Sequence, residues 1–496
     1  MTTKAIDDYI TNTVKKGDKE SALIAALVAP TLKNCKYVDI LQEGMNGISV
    51  LKNLPEDYDV VVYSIGGDTR IKDLKKYTIS MVERLANISN DYGFTPLAFA
   101  DVIDASDGDN KDVELIGNTL REVSDHFGYS VLNGELAILR NRVIGKANIN
   151  GTMIALVPKE NNLPGSQFTP YTKYGIVSMA TFDHKGKAVW INSDGQGTKG
   201  EFQERLKQYE LGLRDSVAMK ADDTIKLGAD LKVISDIIQI KGKISMDIME
   251  EAAKVISKEL GITYIIQKEY SGDKIYGYSD ESAAFNISGS AVSLIDEEFL
   301  RNPPMPHVND FLVAISGYPN PRSNGITDKR KLMIKLFGEN YQDTKIGKIF
   351  LEYLAAPSII LYPHFRELIN SGLATSVYHM SGGAYDSKLA KPLAKHGLYT
   401  EIGEYPFEQL FNPDWRELTL AGANFTSART AYGKWPMGND GYVTTQDPSA
   451  VIFYLNNHGL EGRVVGQLQQ YPKKTGVKLN AYNGTKVYFS GIERKS

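Results

Sequence analysis

An internal repeat constrains this chain more than any other feature. Asn192-Ser193-Asp194-Gly195-Gln196-Gly197-Thr198-Lys199 follows the apolar run Ala188-Val189-Trp190-Ile191. Earlier, Tyr63-Ser64-Ile65-Gly66-Gly67-Asp68-Thr69-Arg70 follows Asp59-Val60-Val61-Val62. Both read Ser-x-Gly-x-x-Thr-basic after a strand-like segment. A second anchor registers GFTPLAFAD, from Gly93 to Asp101, on GADLKVISD, from Gly228 to Asp236. One loop insertion between the anchors reconciles the two offsets, and loops tolerate such insertions at little entropic cost.

Apolar spacing fills in the same order of elements twice. In the first pass Lys75 to Asp91 reads as a helix, Pro96 to Ala100 as a strand, Val113 to Phe127 as a helix, Asn133-Gly134-Glu135 as a turn and Gly151 to Pro158 as a strand. In the second, Glu201 to Ala221 and Met246 to Leu260 read as helices, with strands at Val233-Ile234-Ser235 and Ala291 to Ile295. The expected organisation is a helical segment (1–39), two copies of one α/β domain (40–165 and 166–301) and a third unit (302–496) entered through Asn302-Pro303-Pro304. The third unit carries PNPRSNG, YHMSGG and PMGNDG, which nothing before it repeats.

A chain of 496 residues, 42% hydrophobic and 23% charged, can build several domains with substantial cores. Its net charge of −4 offers no basic field to track a nucleic-acid backbone, so nucleic acid is not an expected partner. The lone Cys35 excludes an internal disulfide and a clustered thiolate metal site. Met1 to Ile10 holds Asp7 and Asp8 and lacks the basic start and apolar stretch of a signal peptide, which points to the cytoplasm. The apolar segment Ile349 to Tyr362 contains Glu352 and Pro357 and is too short to span a bilayer, so no membrane association is expected.

Between Asp194 and Lys199, glycines let backbone amides approach phosphate oxygens, the lysine supplies positive charge and the aspartate can hold Mg²⁺. The stretch lacks Walker spacing, and a plain strand-to-helix turn is the competing reading. Asp215, Asp222 and Asp223 follow within thirty residues, with Asp215 and Asp222 on one helix face. They read either as carboxylates for Mg²⁺ beside a triphosphate or as a solvated acidic face. Ser323-Asn324-Gly325 and Ser381-Gly382-Gly383 offer small side chains and open amides suited to a phosphate or a sugar-like ligand. His379 could act in acid–base chemistry or be structural. No hydrolase triad signature, HExxH, dinucleotide GxGxxG or metal-spaced histidine set is present.

Taken together, these motifs resemble the aminoimidazole ribonucleotide synthetase (PurM-like) superfamily, and its cyclo-ligase branch most closely. The family's Asp-Gly-x-Gly-Thr-Lys matches Asp194 to Lys199. Its Asp-x-Val-Ala-Met-x-x-Asn-Asp matches Asp215 to Asp223, with Asp222 where asparagine is usual. Its Ser-Asn-Gly matches Ser323 to Gly325, and its His-x-x-Gly-Gly matches His379 to Gly383. Its Asn-Met-Gly segment is echoed by Pro436-Met437-Gly438, with proline replacing asparagine. Gly134-Glu135 echoes its Gly-Gly-Glu, whereas the second copy has Glu281 without preceding glycines.

The resemblance implies an α/β (α+β) fold in which two N-terminal domains pair into an internal β-barrel, followed by one C-terminal α/β domain. It implies ATP and Mg²⁺ as cofactors. Asp194, Gly195, Gly197, Thr198, Lys199 and Glu135 would bind nucleotide, and Asp194, Asp215 and Asp223 would hold metal. Ser323, Asn324, Gly325, Ser381, Gly382 and Gly383 would bind a phosphoribosylated amidine, with Lys199 and His379 catalytic. The implied activity is that of an ATP-dependent cyclo-ligase. Another acceptor within the superfamily and a non-catalytic interaction protein are the alternatives. Loss of Lys199 is expected to lower turnover without unfolding the chain, which would be a monomer by internal pairing or a homodimer.

Overall fold

The computed structural model describes residues 19–41, 48–68, 70–161, 163–270, 275, 277, 284–317, 322–403, 427–481 and 483–492. Glu281 and Thr69 lie outside them. The chain forms two compact units, Met1–Gly197 with Ala229–Arg301, and Thr198–Gly228 with Asn302–Ser496.

In chain order the first unit opens with α1 (Lys19–Val28), β1 (Val38–Leu41), β2 (Ile48–Leu51) and β3 (Tyr58–Gly66). Next come α2 (Leu74–Asp91), β4 (Thr95–Ala105), α3 (Asn110–Phe127), β5 (Ser130–Ile138), β6 (Ala147–Pro158), β7 (Gln167–Phe168), β8 (Met179–Phe182) and β9 (Ala188–Gly195). The chain then enters the second unit through α4 (Lys199–Leu206) and α5 (Leu211–Thr224), and returns for β10 (Asp230–Lys241), α6 (Met246–Leu260), β11 (Thr263–Tyr270) and β12 (Ala284–Ile295). Local chemistry sets the helix ends. The Asp73 and Asp109 carboxylates accept from Lys76 N and Lys111 N at the starts of α2 and α3, and Gly128 closes α3 at φ 75°.

The strands make two six-stranded sheets, in the orders β5-β4-β6-β3-β8-β7 and β1-β2-β9-β12-β10-β11. Their cores match element for element. β4 runs parallel to β5 and antiparallel to β6, and β10 runs parallel to β11 and antiparallel to β12. β3 and β9 complete the two cores, pairing antiparallel with β6 and β12. The edges are exchanged: β2, which precedes β3, pairs with β9, and β8, which precedes β9, pairs with β3. This exchange explains why no closed barrel forms among the described residues. The flanks of β3 and β9 that closure would need are already taken by β8 and β2, so the sheets remain open and meet through side chains and one isolated bridge, Val143 to Ile275.

β3 is apolar throughout because both its faces are covered. Val61, Tyr63 and Ile65 face the core under the helices, while Val60 and Val62 join a second core with Val189, Ile191, Val233 and Val292 of the other sheet. A polar layer continues that interface. Ser64 Oγ and Ser235 Oγ are 2.7 Å apart, Asn148 Nδ2 donates to Gln239 Oε1 at 2.8 Å, and Asn150 Nδ2 donates to Ser288 Oγ at 2.8 Å.

Two local expectations are corrected. Asn133-Gly134-Glu135 is not a turn but the middle of β5, where Asp101 pairs with Gly134 and Val102 with Glu135. Gly134 is needed for clearance, since a Cβ there would stand 2.5 Å from Asp101 Oδ1. The single helix expected from Glu201 to Ala221 is two, because the chain turns at Lys207, a left-handed residue with φ 58°.

The second unit adds β13 (Phe311–Ser316), α7 (Ile326–Phe337), α8 (Lys345–Ala355), α9 (Tyr362–Asn370), β14 (Ser376–His379), β15 (Leu398–Ile402), β16 (Asn439–Thr445), α10 (Pro448–Asn457), β17 (Gly462–Gln467), β18 (Gln469–Gln470), β19 (Gly476–Asn480) and β20 (Lys486–Phe489). Its sheets run β14-β16-β13-β17 and β18-β15-β19-β20. α4 docks here through Phe202, which packs with Ile326, Met333, Tyr341 and Leu351.

Candidate functional site

In the first unit, β9 delivers Asp194 and Gly195 to its end. Asp194 Oδ1 accepts from the Gly195 amide at 2.7 Å, the Gln196 amide donates to Ile287 O at 2.9 Å, and Gly197 takes φ 62°. Two amides of the predicted phosphate loop are thus engaged within the protein. The strand carrying Glu135 reaches this place: Ser193 N donates to Asn133 Oδ1 at 3.0 Å, and Val102, the register partner of Glu135, lies 3.5 Å from where a Cβ on Gly195 would stand. The structure therefore brings the neighbourhoods of Glu135 and Asp194 together although sixty residues separate them.

The equivalent loop after β3 opens on a cavity of about 800 Å³, lined among others by Gly66, Gly67, Arg84, Tyr174, Ser178, Gln267 and Glu269. Its first glycine amide is occupied, because Gly66 N donates to the Glu269 carboxylate.

In the second unit α4 and α5 turn their charged residues inward. Lys199 Nζ lies 2.8 Å from Asp215 Oδ1, and both side chains are fully buried. Burial pushes the lysine below its ordinary pKa against the pull of Asp215. The carboxylate of Asp215 is saturated: Gln203 Nε2, Ser323 Oγ, Ser358 N and Ser358 Oγ also donate to it. One turn later Asp222 receives Arg322 Nη1 and Tyr362 N, each at 2.8 Å, and burial lifts its pKa to about 6 against the pull of Arg322. Asp223 turns to His379, whose Nδ1 lies 3.1 Å from Asp223 Oδ1. Burial drives His379 down to about 3, leaving it neutral near pH 7. Burial pushes Asp223 upward, but His379, Lys226 and Lys388 together bring it well below the carboxylate range.

The two Gly/Ser motifs of this unit meet. Ser323 Oγ donates to Asp215 at 3.2 Å, Arg322 Nε donates to Met380 O at 3.2 Å, and Asn324 Nδ2 lies 3.5 Å from where a Cβ on Gly382 would stand. Gly383, at φ 78°, lies against Ser387 at the turn after β14, and Met380 N donates to Asp440 O at 2.8 Å. Ser323, Asn324, Gly325, Ser381, Gly382 and Gly383 thus frame one locality with His379 at its margin.

Two expected roles do not sit easily with this geometry. Among the described residues no three His, Cys, Asp or Glu side chains group to hold a metal, and Asp215 and Asp223 are already bound to protein cations. The proposed Mg²⁺ ligands do not fit a resident metal, so no chemistry is drawn through one. Lys199 is a buried structural partner of Asp215, so its loss strikes folding first, contrary to the expectation that only turnover would fall.

Asp440 and Lys329 carry charge that sequence reasoning did not single out. Burial lifts Asp440 to about 7 against the pull of Arg322, Lys199 and Lys329. The only available signal was its position inside the PMGNDG motif. Lys329 lies one turn after Gly325, and helical spacing from Ser-Asn-Gly could have found it.

No protein-family model matches the chain. It is similar to the phosphoribosylformylglycinamidine cyclo-ligase of Pyrococcus horikoshii, with 27% identity over 226 residues, 45% of this chain and 64% of that protein. The cyclo-ligase of Thermococcus kodakarensis is 24% identical over 297 residues, 58% of this chain and 83% of that protein. The match thus spans less than two thirds of the P. horikoshii enzyme. Among solved structures, T. maritima PurL complexed with AMPPCP aligns at TM-score 0.36 and 15% identity, covering 60% of this chain and 43% of that one. No helix among the described residues is long and apolar enough to cross a membrane. By its ordered motifs and its curated relatives, the chain is a relative of the aminoimidazole ribonucleotide synthetase (PurM-like) superfamily.

Proposed function

We propose that this protein is an ATP-dependent cyclo-ligase that closes the imidazole ring of formylglycinamidine ribonucleotide. The observation that carries the reading is the meeting of Ser323-Asn324-Gly325 with Ser381-Gly382-Gly383 beside the Asp215 and Asp222 helix, since these are the motifs shared with the cyclo-ligases. In this reading ATP transfers its γ-phosphoryl group to the amide oxygen, turning a poor leaving group into a good one. An internal nitrogen then attacks the activated carbon, the C–O bond breaks with release of phosphate, and the nitrogen gives up its proton.

The residues of this chain would bind and orient. Asp194 to Thr198 with Glu135 would face the nucleotide, and the Gly/Ser turns would hold the substrate. Neutral His379 would act as a hydrogen-bonding group, since its low pKa excludes it as a proton donor near pH 7. The same reading takes the two matching sheets as paired N-terminal domains and residues 302–496 as the C-terminal domain, in a cytoplasmic protein whose internal pairing suits a monomer.

A second reading keeps the fold and ATP with a different amide or phosphoryl acceptor, or retains the chain as a non-catalytic relative. It is favoured by the engaged loop amides and by Pro436 in place of asparagine. Thermal-shift titrations with ATP–Mg²⁺ and with formylglycinamidine ribonucleotide separate the readings, because a ligand that binds only the folded state raises its stability. The proposal expects both to stabilise. ATP alone favours another acceptor, and neither favours the non-catalytic relative.

A further inference from the structure

Lys329 is a buried lysine, 7% exposed, whose ammonium makes no hydrogen bond or ion pair among the described residues and rests 5.5 Å from the centre of the Trp435 ring. Such a group is costly to bury unless something completes it. Its surroundings repeat the deficit. Arg322 Nη2 is buried without a partner, although Nη1 and Nε of the same guanidinium are bonded to Asp222, Ile359 O and Met380 O. α7 starts at Ile326 behind a left-handed Gly325 that gives its first amides no side-chain cap. Unfilled donors and a positive helix end therefore face one place.

The charges of the cluster agree. Lys199 is spent on Asp215 and Arg322 on Asp222, which leaves Lys329 with Asp440, a carboxyl that is not within ion-pair distance of it. Asp440 Oδ2 is itself buried without a partner, and burial lifts that carboxyl to about 7, so it can take up a proton and leave the locality net positive. Burial depresses Lys329 to about 8, with Lys199 adding to the depression and Asp440 opposing it.

We propose that Lys329, Arg322 Nη2 and the amino end of α7 form an oxyanion seat for the phosphate monoester of the acceptor substrate. The inference rests on the proposed function for the identity of that substrate, but the seat itself needs only a phosphate ester. It assigns to Lys329 a binding role that places the phosphate beside Ser323 and Asn324.

The test is binding of ribose 5-phosphate, which lacks any ring-closing group, to the full chain and to its Lys329→Met and Lys329→Arg variants, by calorimetry. The wild type should bind, Lys329→Met should bind at least tenfold more weakly, and Lys329→Arg should recover part of the loss. ATP binding should be the same in all three. In the wild type, ¹³C NMR of the lysine side chains should show the Lys329 titration moving upward when ribose 5-phosphate is added, a readout that holds even if a variant fails to fold. Equal binding by wild type and Lys329→Met, no binding by the wild type, loss of ATP binding in place of ribose 5-phosphate binding, or an unmoved Lys329 titration would each overturn the seat. A seat that behaves as expected in a protein without ring-closing activity overturns the proposed function alone. Ring closure with an unchanged KM in Lys329→Met overturns the seat alone.

Discussion

Lys199 Nζ and Asp215 Oδ1 stand 2.8 Å apart with neither side chain exposed to solvent. Truncating one member of such a pair strands the other charge in a low-dielectric interior, which typically costs about 3–5 kcal/mol. Lys199→Ala should therefore lower unfolding free energy by about that much in urea titrations. Lys199→Met combined with Asp215→Asn should recover a large part of the loss, because no unpaired charge remains. A Lys199→Ala protein as stable as wild type would remove the ion pair from the account of this unit.

His379 predicts a pH dependence with a definite sign. Its folded pKa, about 3, is depressed from the ordinary 6.5, so the unfolded chain binds the proton first as pH falls. The contribution of the neutral buried imidazole is present above pH 6.5 and lost as pH falls toward 3, at up to about 1.4 kcal/mol per pH unit. His379→Gln should flatten the stability curve in that window, as measured by denaturation at a series of pH values.

Asp101 predicts the opposite slope. It is buried, its Oδ2 has no partner, and burial lifts its pKa to about 8. The folded state holds a proton that the unfolded state gives up near pH 4, so stability falls as pH rises from there through 8. Asp101→Asn should raise the melting temperature at pH 9 and change it little at pH 4. A uniform effect across that range would mean that the carboxyl does not titrate where its burial places it.

Gly289 tests the packing of the second sheet. A Cβ there would stand 2.1 Å from Ser235 O and 2.8 Å from Asp236 Cα, both backbone atoms that cannot swing aside. Gly289→Ala should cost about 1–3 kcal/mol or more by overpacking. Gly403, where a Cβ would meet nothing within 4 Å, is the control and should tolerate alanine.

Much of the architecture was legible because periodicity records burial. The helices α2, α3 and α6 lie where apolar spacing placed them, since each turns one face to a sheet. The repeated Ser-x-Gly-x-x-Thr-basic stretches both fall at strand ends, after β3 and β9. The exchange of β2 and β8 between sheets could not be read, because pairing partners are set by three-dimensional register rather than by local pattern. Gly134 was misread because glycine signals a turn and a close approach alike, and here Asp101 demands the latter. In the candidate site the motifs gave the residues but not their state. Lys199 carries the family's position in a fully buried pair, and Lys329 stands outside any motif.

The most direct test of the central claim is a single-vessel assay of purified protein with ATP, Mg²⁺ and formylglycinamidine ribonucleotide, following ADP and the ring-closed product together. The account predicts that the two appear in a one-to-one ratio and that neither appears when the amidine or ATP is left out. ADP without ring-closed product, or no turnover by a protein that is folded and binds both substrates, would contradict it.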